Sequence, residues 1–145
     1  MILYLDTSAL VKLYAQEAGS KIVRQAVADA NLIATSLLSY VETRSALARK
    51  RRGGEIGAAD LKRGKQAFER DWVRLHRLPI DEASVRKAGE MCDEHALRAF
   101  DALHLAAADS LQAVLRTTVT FACFDGALNV AAQARGLEPL SQTEF

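Results

Sequence analysis

The chain alternates between short apolar runs and stretches in which apolar residues recur every three to four positions. Ile2 to Leu5 is an unbroken apolar run, the pattern of a strand covered on both faces. It stops at Asp6, and Thr7 or Ser8 is the expected N-cap of a helix running to about Gln16. Gly19 breaks that helix. Ser20 is the expected cap of the next, where Ile22, Val23, Ala26, Val27 and Ala30 share a face. "NLIATS" predicts a second strand. After Ser36, read as a cap, a long helix carries Leu37, Leu38, Val41, Ala46 and Leu47 into the basic run "RKRRGG".

Gly53 and Gly54 end that helix, and a second long one is expected from about Glu55 to His76, so that residues 36–76 form a helical hairpin. "RLPI" is a candidate third strand. Asp81 opens a helix containing Ala83, Val85, Ala88, Met91 and Cys92, and "LRAFDALHLAAADSLQAVL" is strongly helical. "TTVTFACF", rich in β-branched and aromatic residues, predicts the best strand in the chain. "GALNVAAQARG" is a last helix and "LEPL" a last short strand. Short apolar strands alternating with helices predict one α/β domain over residues 1–145 with a mainly parallel sheet. Ligands of such sheets bind beyond the carboxyl ends of the strands.

Composition adds little to this but excludes some classes. With 145 residues, half of them apolar, the chain can bury a sizeable core and is not disordered as a whole. Lys plus Arg is 19 and Asp plus Glu 18, a net charge of +1, so a nucleic-acid partner would need a local basic patch. Cys92 and Cys123 form no metal-type pair and read as buried free thiols in a reducing compartment. No apolar run has the length of a signal peptide or a membrane span, so a cytoplasmic protein without membrane association is expected.

The acids carry the candidate chemistry. Asp6 and Asp125 each end a predicted strand, which places both at the same sheet edge. One such Asp is commonly a helix cap; two at one edge suggest a site. Glu42 lies among small and apolar neighbours, either at the edge of the buried stripe or held inward. Asp101, in a first helical turn, suits the helix dipole but is otherwise surrounded by apolar residues. His104, one turn on, is either a ligand or proton shuttle, or simply packed and hydrogen-bonded. Four converging carboxylates need a cation, since like charges raise one another's pKa values. Oxygen-only donors point to Mg²⁺, with Mn²⁺ as the alternative, rather than to zinc. Such a metal suits phosphodiester hydrolysis by activated water. Arg49, two helical turns after Glu42, shares its face and can reach a phosphate. Arg51 and Arg52 belong to a basic cluster that is either an RNA contact or a solvated helix end, and Thr7 and Ser8 are further substrate-contact candidates.

"LDTSALVKLYAQEAGS", "ATSLLSYVETRSALARK", "LRAFDALHLAAA" and "FACFDGALNVAAQARGLEPL" resemble, in order and across nearly the whole chain, the signature blocks of the PIN domain. They resemble in particular the VapC-type toxins of bacterial toxin–antitoxin pairs. The resemblance implies a three-layer α/β/α sandwich and assigns Asp6, Glu42, Asp101 and Asp125 as the acidic quartet that holds magnesium. It also implies an endoribonuclease acting on structured RNA such as tRNA or rRNA, a homodimer, and a VapB-like antitoxin whose tail occupies the groove. Cys123 departs from the pattern, since many relatives carry Thr or Ser there.

Three other readings use overlapping features. A nuclease acting on DNA would need the same four acids. An aspartyl-phosphate phosphatase would place a second Asp two residues after Asp6, where Ser8 stands. A non-catalytic PIN-like adaptor would be marked by loss of an acid, and none is lost.

Overall fold

The computed structural model describes residues 1–142. Five parallel strands, β1 (Ile2–Leu5), β2 (Leu32–Ser36), β3 (His76–Leu78), β4 (Val119–Ala122) and β5 (Glu138–Pro139), form one sheet in the order β3-β2-β1-β4-β5. β1 lies at the centre. The chain first builds outward from β1 to β2 and β3, then crosses to the other side for β4 and β5. The order therefore reverses between β1 and β4, and the crevice at their carboxyl ends is where an open α/β sheet receives ligands.

The alternation of side chains along β1 separates two cores. Tyr4 points into the layer of α5 (Glu82–His95), α6 (Ala99–Leu115) and α7 (Gly126–Ala134). Leu3 and Leu5 point into the layer of α1 (Thr7–Leu10), α2 (Ser20–Asp29), α3 (Leu38–Arg52) and α4 (Ala58–Trp72). The architecture is the three-layer α/β/α sandwich. Tyr4 stacks on Phe121 of β4 with ring centroids 5.5 Å apart, and the second core centres on Tyr14, Tyr40, Phe68 and Trp72. Among the described residues no helix is long and apolar enough to cross a membrane.

Several boundaries differ from the pattern reading. The first helix is only Thr7–Leu10, followed by a 3-10 turn at Val11–Leu13. Its N-cap is Asp6 itself, whose carboxylate accepts from the Ala9 N–H; Thr7 and Ser8 lie inside the helix. α2 is capped by Gly19 at φ +89°, not by Ser20. Ser20 is fully buried, where its hydroxyl accepts from the Glu17 N–H and donates to the Ala15 carbonyl. Leu37 occupies the N-cap of α3, although the Ser36 hydroxyl still accepts from the Leu38 N–H. The expected helix to His76 ends at Trp72, because His76–Leu78 pairs with β2.

Gly64 lets α4 approach closely: a Cβ there would stand 2.6 Å from the Tyr14 carbonyl oxygen. That approach seats Phe68 and Trp72 under α3 and holds α3 over the carboxyl edge of the sheet.

Candidate active site

Asp6, Glu42, Asp101 and Asp125 come from four separate segments and line one cleft of about 620 Å³. The sheet and the three helix starts position them. Asp6 leaves β1, and its own N–H still donates to the Ala122 carbonyl of β4 at 3.1 Å, so it sits at the crevice between the two strands. Asp125 follows β4 and caps α7, its Oδ1 accepting from the Leu128 N–H at 2.9 Å. Asp101 lies in the first turn of α6, and Glu42 one turn into α3.

Each acid is braced. Asp6 is 4% exposed, and its Oδ1 accepts from Ser8 Oγ at 2.7 Å and from the Ala9 N–H at 2.9 Å. Glu42 Oε1 accepts from Thr7 Oγ1 at 2.7 Å and from His104 Nε2 at 2.8 Å. His104 is buried, and its Nδ1 accepts from the Tyr4 hydroxyl at 2.8 Å, which leaves the proton on Nε2 for Glu42. The packed reading of His104 is thus met, but the packing orients a candidate site acid. Thr7 and Ser8, the candidate substrate contacts, line the cleft with their hydroxyls donated to Glu42 and Asp6. They orient the acids.

The electrostatics separate the two central carboxyls. Burial pushes the Asp6 carboxyl up and the Asp101 charge adds to it, against the hydrogen bonds from Ser8 and the Ala9 N–H. Burial also acts to raise Glu42, but the hydrogen bonds from His104 and Thr7 and the nearby Arg49 charge outweigh it and hold its pKa down. Burial, then the charges of Asp6 and Glu42, push Tyr4 well up, so it stays protonated and donates to His104. The Cys123 thiol is raised to about 12 by burial and by Asp6, with smaller contributions from Asp125 and Asp101. Its sulfur meets the backbone at Asp125 at 3.3 Å and supports the turn there.

Asp101 and Asp125 are joined through Arg98. Its Nε donates to Asp101 Oδ2 at 3.0 Å and its other end lies 3.6 Å from Asp125 Oδ2, while the side chain is 80% exposed. The acids share the cleft without closing on one point. Among the described residues no three His, Cys, Asp or Glu side chains form a ready ligand group. The donor chemistry nonetheless fits a hard divalent ion. The donors are all carboxylates, and no hydrogen bond among the described residues reaches Asp6 Oδ2 or Glu42 Oε2. The charge of neighbouring acids adds to the burial that raises Asp6 and Cys123.

Of the basic candidates, Arg49 lines the cleft, and Arg51 and Arg52 do not. In their place the cleft contains Lys12, Lys50 and Arg98. Arg98 was legible as an i−3 partner of Asp101. Lys12 carried no signal, because its partner Glu17 lies five residues on, in the loop past the end of the 3-10 turn.

The sequence profile of the PIN domain matches residues 3–121. Ribonuclease VapC45 of Mycobacterium tuberculosis (strain CDC 1551 / Oshkosh) is 31% identical over 135 residues, which cover 93% of this chain and 92% of that protein. Among solved structures, Mycobacterium tuberculosis VapC20, a sarcin-ricin loop cleaving toxin, superposes with a TM-score of 0.65 at 19% identity, covering 89% of this chain and 94% of the other. A toxin–antitoxin complex from Klebsiella pneumoniae superposes with a TM-score of 0.61 at 16% identity over the whole of both chains.

Proposed function

The chain belongs to the PIN domain family and, within it, to the VapC ribonucleases; from that premise we propose that it is a Mg²⁺-dependent endoribonuclease toxin. Its substrate is structured RNA, transfer or ribosomal, and a VapB-like antitoxin neutralises it. The observation that carries this reading is the meeting of Asp6, Glu42, Asp101 and Asp125 in one cleft at the carboxyl edge of the sheet. The relatives support it: one is named a ribonuclease, one cleaves the sarcin-ricin loop, and one was solved with its antitoxin.

The four acids would hold the ion, with Asp6 at the centre. When bound, Mg²⁺ or Mn²⁺ activates water at neutral pH and stabilises the leaving oxygen. The chain does the positioning. Ser8 and the Ala9 N–H fix the Asp6 carboxylate, and Thr7 with the Tyr4–His104 relay fixes Glu42. Arg49, on the face of α3 that carries Glu42, receives the substrate phosphate. The protein works in the cytoplasm as a homodimer.

The test is cleavage of total cellular RNA by purified protein with Mg²⁺ and with EDTA, alongside Asp6→Asn and Asp101→Asn. Discrete fragments that need Mg²⁺ and disappear in both variants are expected. Equal cleavage by wild type and variants would overturn the reading. Light scattering of the same preparation checks the homodimer, which has twice the 15.8 kDa chain mass.

A further inference from the structure

Beside the acids, the same cleft contains a second built cluster that the mechanism above does not use. Lys12 from the 3-10 turn and Lys50 from α3 converge on Glu17, which lies in the loop before α2. Lys12 Nζ donates to Glu17 Oε1 at 2.9 Å, and Lys50 Nζ donates to Glu17 Oε2 and, at 3.2 Å, to Glu55. The Glu55 side chain is 65% exposed, so that last pair is screened by water. Lysines are seldom withdrawn from solvent, yet these side chains are 12% and 18% exposed.

The cluster is held from every side. The Lys12 ammonium lies 4.5 Å from the centre of the Phe124 ring. The loop closes over it at Gly19, where φ is +89° and a Cβ would stand 2.7 Å from the Phe124 ring and 3.2 Å from the Lys12 chain. Only glycine permits that approach. Burial acts to raise the Glu17 carboxyl, but the hydrogen bonds from Lys50 and Lys12 outweigh it and hold its pKa low. Glu17 thus remains an ionised clamp. An ammonium has three donors; Lys12 gives one to Glu17 and Lys50 gives two, to Glu17 and Glu55, so each retains a donor for another oxyanion.

We propose that Lys12 and Lys50, positioned by Glu17, form a phosphate subsite that takes a backbone phosphate of the RNA strand next to the one being cut. The inference rests on the ribonuclease reading. The ligand is RNA because both lysines line the cleft that holds the four acids, and a strand whose scissile phosphate reaches those acids must run past them. Fixed ammonium groups lose little freedom when the phosphate arrives, which is the advantage of pre-pairing them.

The test is anisotropy of a fluorescein-labelled single-stranded RNA with the full chain in EDTA, where no cleavage occurs, over a series of KCl concentrations. Lys12→Gln and Lys50→Gln should each weaken binding and flatten the plot of log affinity against log salt by about 0.7. Lys50→Arg should restore the slope, and Lys21→Gln, outside the cleft, should leave it unchanged. In Mg²⁺ the Gln variants should raise KM more than they lower kcat. Unchanged slopes in both Gln variants would overturn the proposal, even with lowered melting temperatures, and reduce the cluster to a tie between the 3-10 turn and α3. Loss of antitoxin binding with RNA binding intact would overturn it too, assigning the lysines to the protein partner. A lysine-dependent slope in a protein that never cuts RNA would keep the subsite and remove the ribonuclease reading.

Discussion

Arg98 is the residue whose place says most about the acids. Its guanidinium spans Asp101 and Asp125 from an 80% exposed position, so it neutralises two carboxylates while staying in water. Exposed pairs of this kind contribute about 0–1 kcal/mol, so a divalent ion arriving at the same acids can displace it. Arg98→Gln should therefore bind Mn²⁺ several-fold more tightly than wild type, measured by titration calorimetry. Equal or weaker binding would mean that Arg98 organises the acids for the ion and does not compete with it. At this scale Asp6 and Asp125 stood out at the ends of predicted strands and Asp101 in a first helical turn, whereas Glu42, inside its helix, joined them through the resemblance to the PIN blocks. Their braces were only partly so. Thr7 and Ser8 looked like caps, but Asp6 takes the cap and their hydroxyls turn to the carboxylates. The Tyr4–His104–Glu42 relay joins residues up to 100 positions apart and has no local signature.

Among the elements, α3 and α4 decide how the cleft is walled. α3 carries Glu42, Arg49 and Lys50, and is seated by α4 through the cluster of Tyr40, Phe68 and Trp72. α4 in turn depends on Gly64 lying against the Tyr14 carbonyl. A methyl group there must push backbone aside, so Gly64→Ala should destabilise the fold by about 1–3 kcal/mol, although alanine is the better helix former. Denaturant unfolding with an unchanged m-value would check this; a stabilised variant would show that the contact relaxes without strain. The helix periodicities were readable, but not the end of α4. Propensity carries a helix to His76, and the pairing of His76–Leu78 with β2 overrides it. Arg49 was read on the Glu42 face, apart from the basic cluster at the hairpin turn. The helix phase splits that cluster, with Lys50 joining Arg49 at the cleft and Arg51 and Arg52 away from it.

For the whole molecule, the tie between α5, α6 and the end of α7 bears on acid stability. Asp109 of α6 accepts from Arg135 after α7 at 2.8 Å and lies 2.8 Å from Lys87 of α5. Burial acts to raise its carboxyl, but the hydrogen bonds from Arg135 and Lys87 and the Lys87 charge outweigh it and hold the pKa below the ordinary value. A group lowered on folding contributes stability that is present above its unfolded pKa and lost as pH falls through the folded one. The melting temperature of Asp109→Asn should therefore lie below wild type at neutral pH, and the gap should close below about pH 4, where an unfolded Asp titrates. A gap that persists unchanged at lower pH would mean that the loss comes from packing and not from charge.

By itself the sequence determined the α/β class and the parallel sheet, through apolar runs and helical spacing, and it marked Asp6 and Asp125 at strand ends. The set of four acids came from the resemblance of the whole chain to the PIN blocks. Only the tertiary structure decided that β1 lies between β2 and β4, which creates the crevice where Asp6 and Asp125 meet. It also brought Lys12 and Lys50 to Glu17, and Arg98 to two acids at once. Apart from the local pair of Arg98 with Asp101, those contacts depend on strand order, helix phase and a left-handed turn at Gly19.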